Sequence, residues 1–295
     1  MVLPKSVGSS NRFIKAKGRN GFFIELMLSM AGIDVNGNAT SMLMSGFPSH
    51  LSSNPKGRKC GQSMGVILPT YCEVENIDSL VREIKSTNGD SLIFVIDDSS
   101  PDGTADAVRK LQKEYDDILL LERPAKLGLG TAITDGFKAL LSLKNPPEHV
   151  ITMDADYSHN PQAIPQLLAA AEKGYDLVIG SRYSRGSRIV GWHILRRVIS
   201  RVANFVASTM VGMRIHDCTS GFRCYSIEYI KEVIDCLHSQ TYEIQIETVK
   251  QAWMKGFALT EIPITFENRK KGKSKLTNAE FQGFLSYIIK AKTPF

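Results

Sequence analysis

Val150-Ile151-Thr152-Met153-Asp154-Ala155-Asp156 is an apolar run that ends in two carboxylates one residue apart. Such a run reads as a buried strand, so both acids emerge at its carboxyl edge. Residues i and i+2 of a strand share a face. Asp154 and Asp156 therefore offer two hard oxygen ligands side by side, suited to Mg²⁺ or Mn²⁺ held together with diphosphate oxygens. A bare pair of this sort is often only a solvated loop, and its surroundings decide the matter. Apolar runs at Gly65–Leu68, Ser91–Ile96, Ile118–Leu121 and Leu177–Ile179 alternate with helical periodicity at Ile77–Thr87, Thr104–Tyr115, Thr131–Lys144 and Ala163–Lys173. Repeated strand–helix units predict an α/β fold, a Rossmann-like and mostly parallel sheet with helices on both faces. Ligands of such sheets sit beyond the carboxyl ends of the strands. Polar clusters fall there, at Pro69-Thr70-Tyr71-Cys72-Glu73, at Asp97-Asp98-Ser99-Ser100-Pro101-Asp102-Gly103-Thr104 and at the 154–156 pair.

The later half reads differently. Gly191–Met213 predicts a long helix with an apolar side (Trp192, Leu195, Ile199, Val202, Val206, Met210), and Arg196, Arg197 and Arg201 lie in its first half. Helices near Ile227–Leu237 and Tyr242–Lys255 precede a strand at Ala258–Phe266. A basic run, Arg269-Lys270-Lys271-Gly272-Lys273-Ser274-Lys275, then leads to an amphipathic stretch at Asn278–Lys290. Residues 1–63 show no sustained periodicity and carry turn-forming clusters, so they predict a poorly ordered extension. Their basic bias is that of a targeting peptide, but no convincing cleavage site follows.

Composition bounds the rest. The 295 residues are 43% hydrophobic and 22% charged, enough apolar content for a sizeable core. No run of 18 uncharged apolar residues occurs, which excludes a polytopic membrane protein. The net charge of +6 is an average over unlike parts. Residues 1–63 carry 8 Lys/Arg and 2 Asp/Glu, residues 64–181 carry 10 and 19, and residues 182–295 carry 18 and 9. The body is therefore neutral but polarised, with its acidic half first.

Several competing chemistries fail on spacing. Five cysteines without CxxC spacing argue against a disulfide scaffold or a zinc site. Asp97-Asp98 would suit a response-regulator pocket, but the next strand ends in Glu122-Arg123-Pro124 rather than in a phosphorylatable Asp. One of the two acids is instead placed to hold a ribose or base. Gly128-Leu129-Gly130 lacks the third glycine of a dinucleotide fingerprint, and Gly272-Lys273-Ser274 lacks the upstream glycine of a phosphate loop. The 269–275 run lacks the interleaved aromatics of a nucleic-acid patch, so no nucleic-acid partner is expected. His159 is placed either to support the loop or to join the site. Arg182, and Arg196 with Ser200 one helical turn on, put phosphate-type donors opposite the acids.

Taken in order, these motifs resemble the family 2 glycosyltransferases of inverting type and GT-A fold, in particular the dolichyl-phosphate mannose synthases. The resemblance runs from Met64 to about Leu276 and includes Gly180-Ser181-Arg182-Tyr183, Asp217-x-Thr219-Ser220-Gly221-Phe222-Arg223 and Glu261-Ile262-Pro263 through Lys275. It implies a catalytic domain over residues 64–276, followed by an amphipathic helix at 277–295. The implied reaction moves mannose from GDP-mannose to dolichyl phosphate with inversion. A UDP-glucose enzyme and a non-catalytic nucleotide-sugar binder are the alternatives. Pro69, Tyr71, Glu73 and Asp98 would contact the guanosine part, with Asp97, Lys126 and Ala155 also on the donor side. Asp154 and Asp156 would hold Mg²⁺ or Mn²⁺, with Ser158 where some relatives place a Gln ligand. Arg182, Arg196 and Ser200 would grip the lipid phosphate, and Arg182 would share the catalytic role of the two acids. Arg269 and Lys275 would close over the donor. The resemblance further implies a peripheral position on the cytosolic face of a membrane, endoplasmic reticulum or plasma membrane according to the organism. The chain would be held there by small membrane-anchored subunits or by its own amphipathic helices.

Overall fold

A computed structural model of the chain describes residues 64–268. The strands are β1 (Met64–Thr70), β2 (Leu92–Asp97), β3 (Ile118–Glu122), β4 (His149–Thr152), β5 (Leu177–Ser181), β6 (Arg188–Val190), β7 (Arg223–Ser226), β8 (Leu259–Pro263) and β9 (Thr265–Glu267). Between them lie α1 (Val74–Thr87), α2 (Thr104–Leu111), α3 (Leu129–Leu141), α4 (Ile164–Ala171), α5 (Ile194–Val211), α6 (Ile227–Val233) and α7 (Ile244–Lys255).

Seven strands form the main sheet in the order β3-β2-β1-β4-β7-β5-β8. β1 pairs in parallel with β2 on one side and β4 on the other, so the acidic clusters that follow all three strands open at one edge. Central strands of such a sheet are covered on both faces and are accordingly apolar throughout. β2 is buried at every position. α1 shows the matching helical pattern, burying Ile77, Leu80, Val81 and Ile84 against the sheet at spacings of three and four. Each such side chain contributes about 1.5–3 kcal/mol of transfer free energy.

Two strand predictions change. β7 runs antiparallel between β4 and β5, which the sequence reading leaves out. The single strand predicted over Ala258–Phe266 is interrupted at Ile264, so that β8 extends the main sheet while β9 pairs with β6 in a separate two-stranded ribbon. The long helix starts at Ile194 rather than Gly191, whose φ of +80° belongs to a turn. Its predicted apolar side is also redistributed. Trp192 is buried, whereas Leu195 and Phe205 are 70% and 73% exposed and Ile194, Val198, Ile199 and Val202 are exposed with them. Among the described residues no helix is long and apolar enough to cross a membrane. Cys218 and Cys224 are buried, and burial pushes both thiols up to about 12, as befits inert packing groups.

Candidate functional site

Among the described residues three non-glycine residues adopt left-handed backbone conformations, namely Cys72, Ser99 and Tyr157. Each follows one of the three parallel strands β1, β2 and β4. Backbone strain of this kind persists where the surrounding structure over-determines it, as at a binding edge. The three loops wall a cleft of about 380 Å³.

At one end stand Pro69, Tyr71 and Glu73 from the β1 loop, Asp98 directly after β2 and Lys126 from the loop after β3. Lys126 Nζ lies 4.8 Å from the centre of the Tyr71 ring, a cation–π contact that caps this end. Asp97 ends β2 and Asp98 follows it, and of the two only Asp98 lines the cleft. Asp97 turns away from the cleft and accepts bonds from Thr70 Oγ1 (2.8 Å) and from the Ser100 amide (2.8 Å), tying β1 to the 97–100 turn. Asp98 lines the cleft. Burial pushes its carboxyl upward against the opposing pull of Arg123, and the Gly128 amide donates to it at 3.1 Å. Arg123, with a side chain 3% exposed, also donates to Thr131 Oγ1 (2.6 Å) and to the Gly128 carbonyl (2.9 Å). Its guanidinium thus organises this end of the cleft.

The glycines of Gly128-Leu129-Gly130, which form no dinucleotide fingerprint, have a packing role. Gly128 has a φ of +102°, and a Cβ at Gly130 would lie 2.3 Å from the Ser239 carbonyl oxygen. Only glycine lets α3 start this close to the 239–241 loop, where Gly130 N donates to Gln240 O at 2.9 Å.

At the middle of the cleft, Asp154, Ala155, Asp156 and Ser158 follow β4. Asp156 Oδ1 accepts the Ser158 amide at 3.0 Å. The Asp154 amide donates to His159 Nδ1 at 3.1 Å. That bond requires an unprotonated Nδ1, and burial lowers the pKa of His159 in the same sense. The ring stacks on Phe222 (5.2 Å) and meets Phe266 edge-on (5.5 Å), so His159 supports the loop. Asp154 keeps a 43% exposed side chain, and Ser158 Oγ is buried without a partner. Two carboxylates with an unsatisfied hydroxyl nearby fit a hard divalent cation that completes its shell with ligand and water oxygens. Among the described residues no group of three or more His, Cys, Asp or Glu side chains converges on a metal position.

At the far end Arg182 makes a bidentate pair with Asp217 through Nε and NH2 (2.7 Å each), and NH2 also reaches Thr219 Oγ1 (2.6 Å). Asp217 is buried and Arg182 nearly so, with side chains 0% and 9% exposed. Arg196, from the first turn of α5, stacks on Trp192 with 4.1 Å between its guanidinium carbon and the ring centre. Arg182 and Arg196 line the cleft. Ser200 does not, being half-buried with its carbonyl bonded by Asn204 Nδ2. Arg269, Lys275 and the 1–63 and 277–295 segments lie outside the described residues. Sequence reasoning missed Arg123, whose only local signal is a charged residue directly after a strand, and the partnership of Arg182 with Asp217.

The protein-family comparison matches residues 65–234 to the model "Glycosyl transferase family 2". Polyprenol monophosphomannose synthase of Mycolicibacterium smegmatis is 36% identical over 219 residues, 74% of this chain and 82% of the relative. Undecaprenyl-phosphate mannosyltransferase of Micrococcus luteus is 34% identical over 212 residues, 72% and 86% of the two chains. In fold, the chain is similar to glucosyl-3-phosphoglycerate synthase of Mycobacterium tuberculosis, solved with Mn²⁺, UDP and phosphoglyceric acid. The TM-score is 0.59 at 18% identity, with 80% of each chain covered. The mixed sheet is thus that of the GT-A glycosyltransferases, and with more than half its length matched the chain belongs to glycosyl transferase family 2.

Proposed function

We propose that the protein transfers mannose from GDP-mannose to dolichyl or another polyprenyl phosphate, with inversion at the anomeric carbon. The observation that carries this reading is the order of groups along one cleft. Asp98, Tyr71 and Lys126 stand at one end, Asp154 and Asp156 in the middle, and Arg182 and Arg196 at the other, an order set by the strands β3, β2, β1, β4 and β5 across the sheet. That order matches nucleoside, diphosphate and acceptor phosphate. Both mannosyltransferase relatives bear names that specify a polyprenyl-type acceptor.

A phosphate monoester with a second pKa of about 6 is largely dianionic at neutral pH. Its oxygen attacks the anomeric carbon, the bond from that carbon to the diphosphate oxygen breaks, and GDP leaves with the electron pair. No protein base is required, in keeping with a neutral His159 committed to its loop. The protein supplies position and charge. Arg196 and Arg182 hold the acceptor phosphate in line, and Asp154 and Asp156, directly after β4, would hold the divalent cation that the donor diphosphate needs as its counter-charge. A Mg²⁺ or Mn²⁺ ion on these carboxylates, when bound, offsets the charge that develops on the leaving diphosphate.

The exposed face of α5 gives the acceptor a route. Ile194, Leu195, Val198, Ile199, Val202 and Phe205 form a stripe beside the exposed Arg197 and Arg201. Apolar residues flanked by arginines suit the interface of an anionic bilayer, which sets Arg196 at the headgroup level where a lipid phosphate resides. This favours a peripheral position on the cytosolic membrane face, whether or not small membrane-anchored subunits assist. The test incubates the full chain with radiolabelled GDP-mannose or UDP-glucose, divalent cation and dolichyl phosphate. Label from GDP-mannose entering the organic phase supports the proposal. Label from UDP-glucose alone supports the glucosyl alternative, and nucleotide binding without product supports a non-catalytic binder.

A further inference from the structure

Arg182 engages Asp217 and Thr219, which leaves two members of the same turn, Gly221 and Arg223, without a part in that chemistry. Arg223 is fully buried. Its guanidinium donates to the carbonyls of Cys218 and Ser220 (2.7 Å each), to the carbonyl of Gln245 (2.7 Å) and to Thr248 Oγ1 (2.6 Å). One cation thereby clamps the turn after α5 to the first turn of α7 and fixes Gln245 opposite Gly221. A Cβ at Gly221 would lie 3.3 Å from Asp154 Oδ1 and 3.6 Å from Gln245 Nε2. The glycine thus keeps open a space with the Asp154 carboxylate on one side and the Gln245 carboxamide on the other.

Gln245 lines the cleft, is 3% exposed, and its Oε1 is buried without a hydrogen-bond partner. An unmet buried carbonyl costs about 1–3 kcal/mol, so it persists where a ligand satisfies it. The terminal amide torsion is broad, which lets the carboxamide present either its oxygen or its nitrogen. A phosphate oxygen is a poor match, because at neutral pH it has little to donate to a carbonyl. A sugar hydroxyl donates and accepts, as the carboxamide does. The position agrees, since the group in transit must lie between Asp154 and the Arg182–Arg196 pair.

We infer that Gln245 hydrogen-bonds a hydroxyl of the transferred hexose and thereby selects which hexose the cleft accepts, an inference that rests on the glycosyl-transfer reading of the cleft. A buried group built to bond a hydroxyl discriminates strongly against a sugar that lacks it or points it elsewhere.

The test uses the full chain with Mn²⁺ and compares the unaltered protein with Gln245→Ala and with Gln245→Met, which keeps the side-chain volume. Calorimetry reads GDP and GDP-mannose binding, and transfer kinetics read kcat/KM for GDP-mannose and its monodeoxy analogues. Both variants should bind GDP within about twofold of the parent and lose about 10- to 100-fold in kcat/KM with GDP-mannose, the effect of one hydrogen bond to a buried group. One monodeoxy donor, poor for the parent, should be used by the variants as well as GDP-mannose is. Equal losses for GDP and GDP-mannose, a loss in Gln245→Ala that Gln245→Met restores, or unchanged discrimination among the deoxy donors each overturn the inference. A parent protein that binds GDP but transfers no hexose overturns the glycosyl-transfer reading first.

Discussion

Replacing Arg123 by Met removes a guanidinium that holds the Asp98 end of the cleft together. The side chain is 3% exposed and its partner Asp98 8%, so neither charge is rescued by bulk water. Removing one member of a buried pair costs about 3–5 kcal/mol. Two features limit the loss. Asp98 retains the Gly128 amide at 3.1 Å, and Thr131 Oγ1 has other partners in the carbonyls of Leu127 (3.0 Å) and Gly128 (2.9 Å). Burial already raises the Asp98 carboxyl, and without Arg123 it should rise further and take up a proton more readily. The expected cost is therefore about 3 kcal/mol at pH 7, at the low end of that range. A carboxyl whose folded pKa exceeds its unfolded value binds more protons when folded, so the penalty should shrink as pH falls towards 5. The assay is denaturant unfolding of the parent, Arg123→Met, Asp98→Asn and the double variant at both pH values. The double variant should recover about 2 kcal/mol or more relative to the sum of the singles. A cost below about 1 kcal/mol for Arg123→Met, or additive singles, would refute the clamp.

Arg196→Ala should raise the KM for polyprenyl phosphate about tenfold or more while GDP affinity stays within about twofold, since one charge-assisted bond to the acceptor is lost; a normal lipid KM with altered GDP binding counts against its placement. Leu195→Glu combined with Phe205→Glu should cut flotation with anionic vesicles about 100-fold or more, two apolar anchors of about 1.5–3 kcal/mol each being removed. Unchanged flotation would show that the α5 face does not meet the bilayer. A chain starting at Met64 should transfer mannose at the full-length rate, and a large drop would give residues 1–63 a functional part.

The acidic strand ends were legible because two independent local signals coincide there: an apolar run that specifies a buried strand and a turn-forming polar cluster at its carboxyl edge. β7 was not, because Arg223-Cys224-Tyr225-Ser226 opens with a charge that is buried only thanks to carbonyls from Cys218, Ser220 and Gln245, partners that the fold brings together. Arg123 is likewise silent in sequence, since its meaning depends on Asp98, 25 positions away. The pattern of α5 correctly announced an amphipathic helix. Periodicity cannot say whether protein covers the apolar side, and here Leu195, Ile199 and Val202 remain exposed. The same blindness separates Asp97 from Asp98, adjacent acids of which one ties a turn and the other faces the cleft.

The most direct measurement follows label from GDP-mannose into polyprenyl phosphate with the parent protein and with Asp156→Ala, alongside thermal unfolding of both. Asp156 is a polar residue outside the apolar core, and its Oδ1 accepts the Ser158 amide, a bond worth about 1 kcal/mol. The expected result is a β-linked mannosyl phosphate from the parent, none from Asp156→Ala, and two closely similar unfolding curves. Undiminished transfer by Asp156→Ala, or an α-linked product, would contradict an inverting transfer centred on the carboxylates of β4.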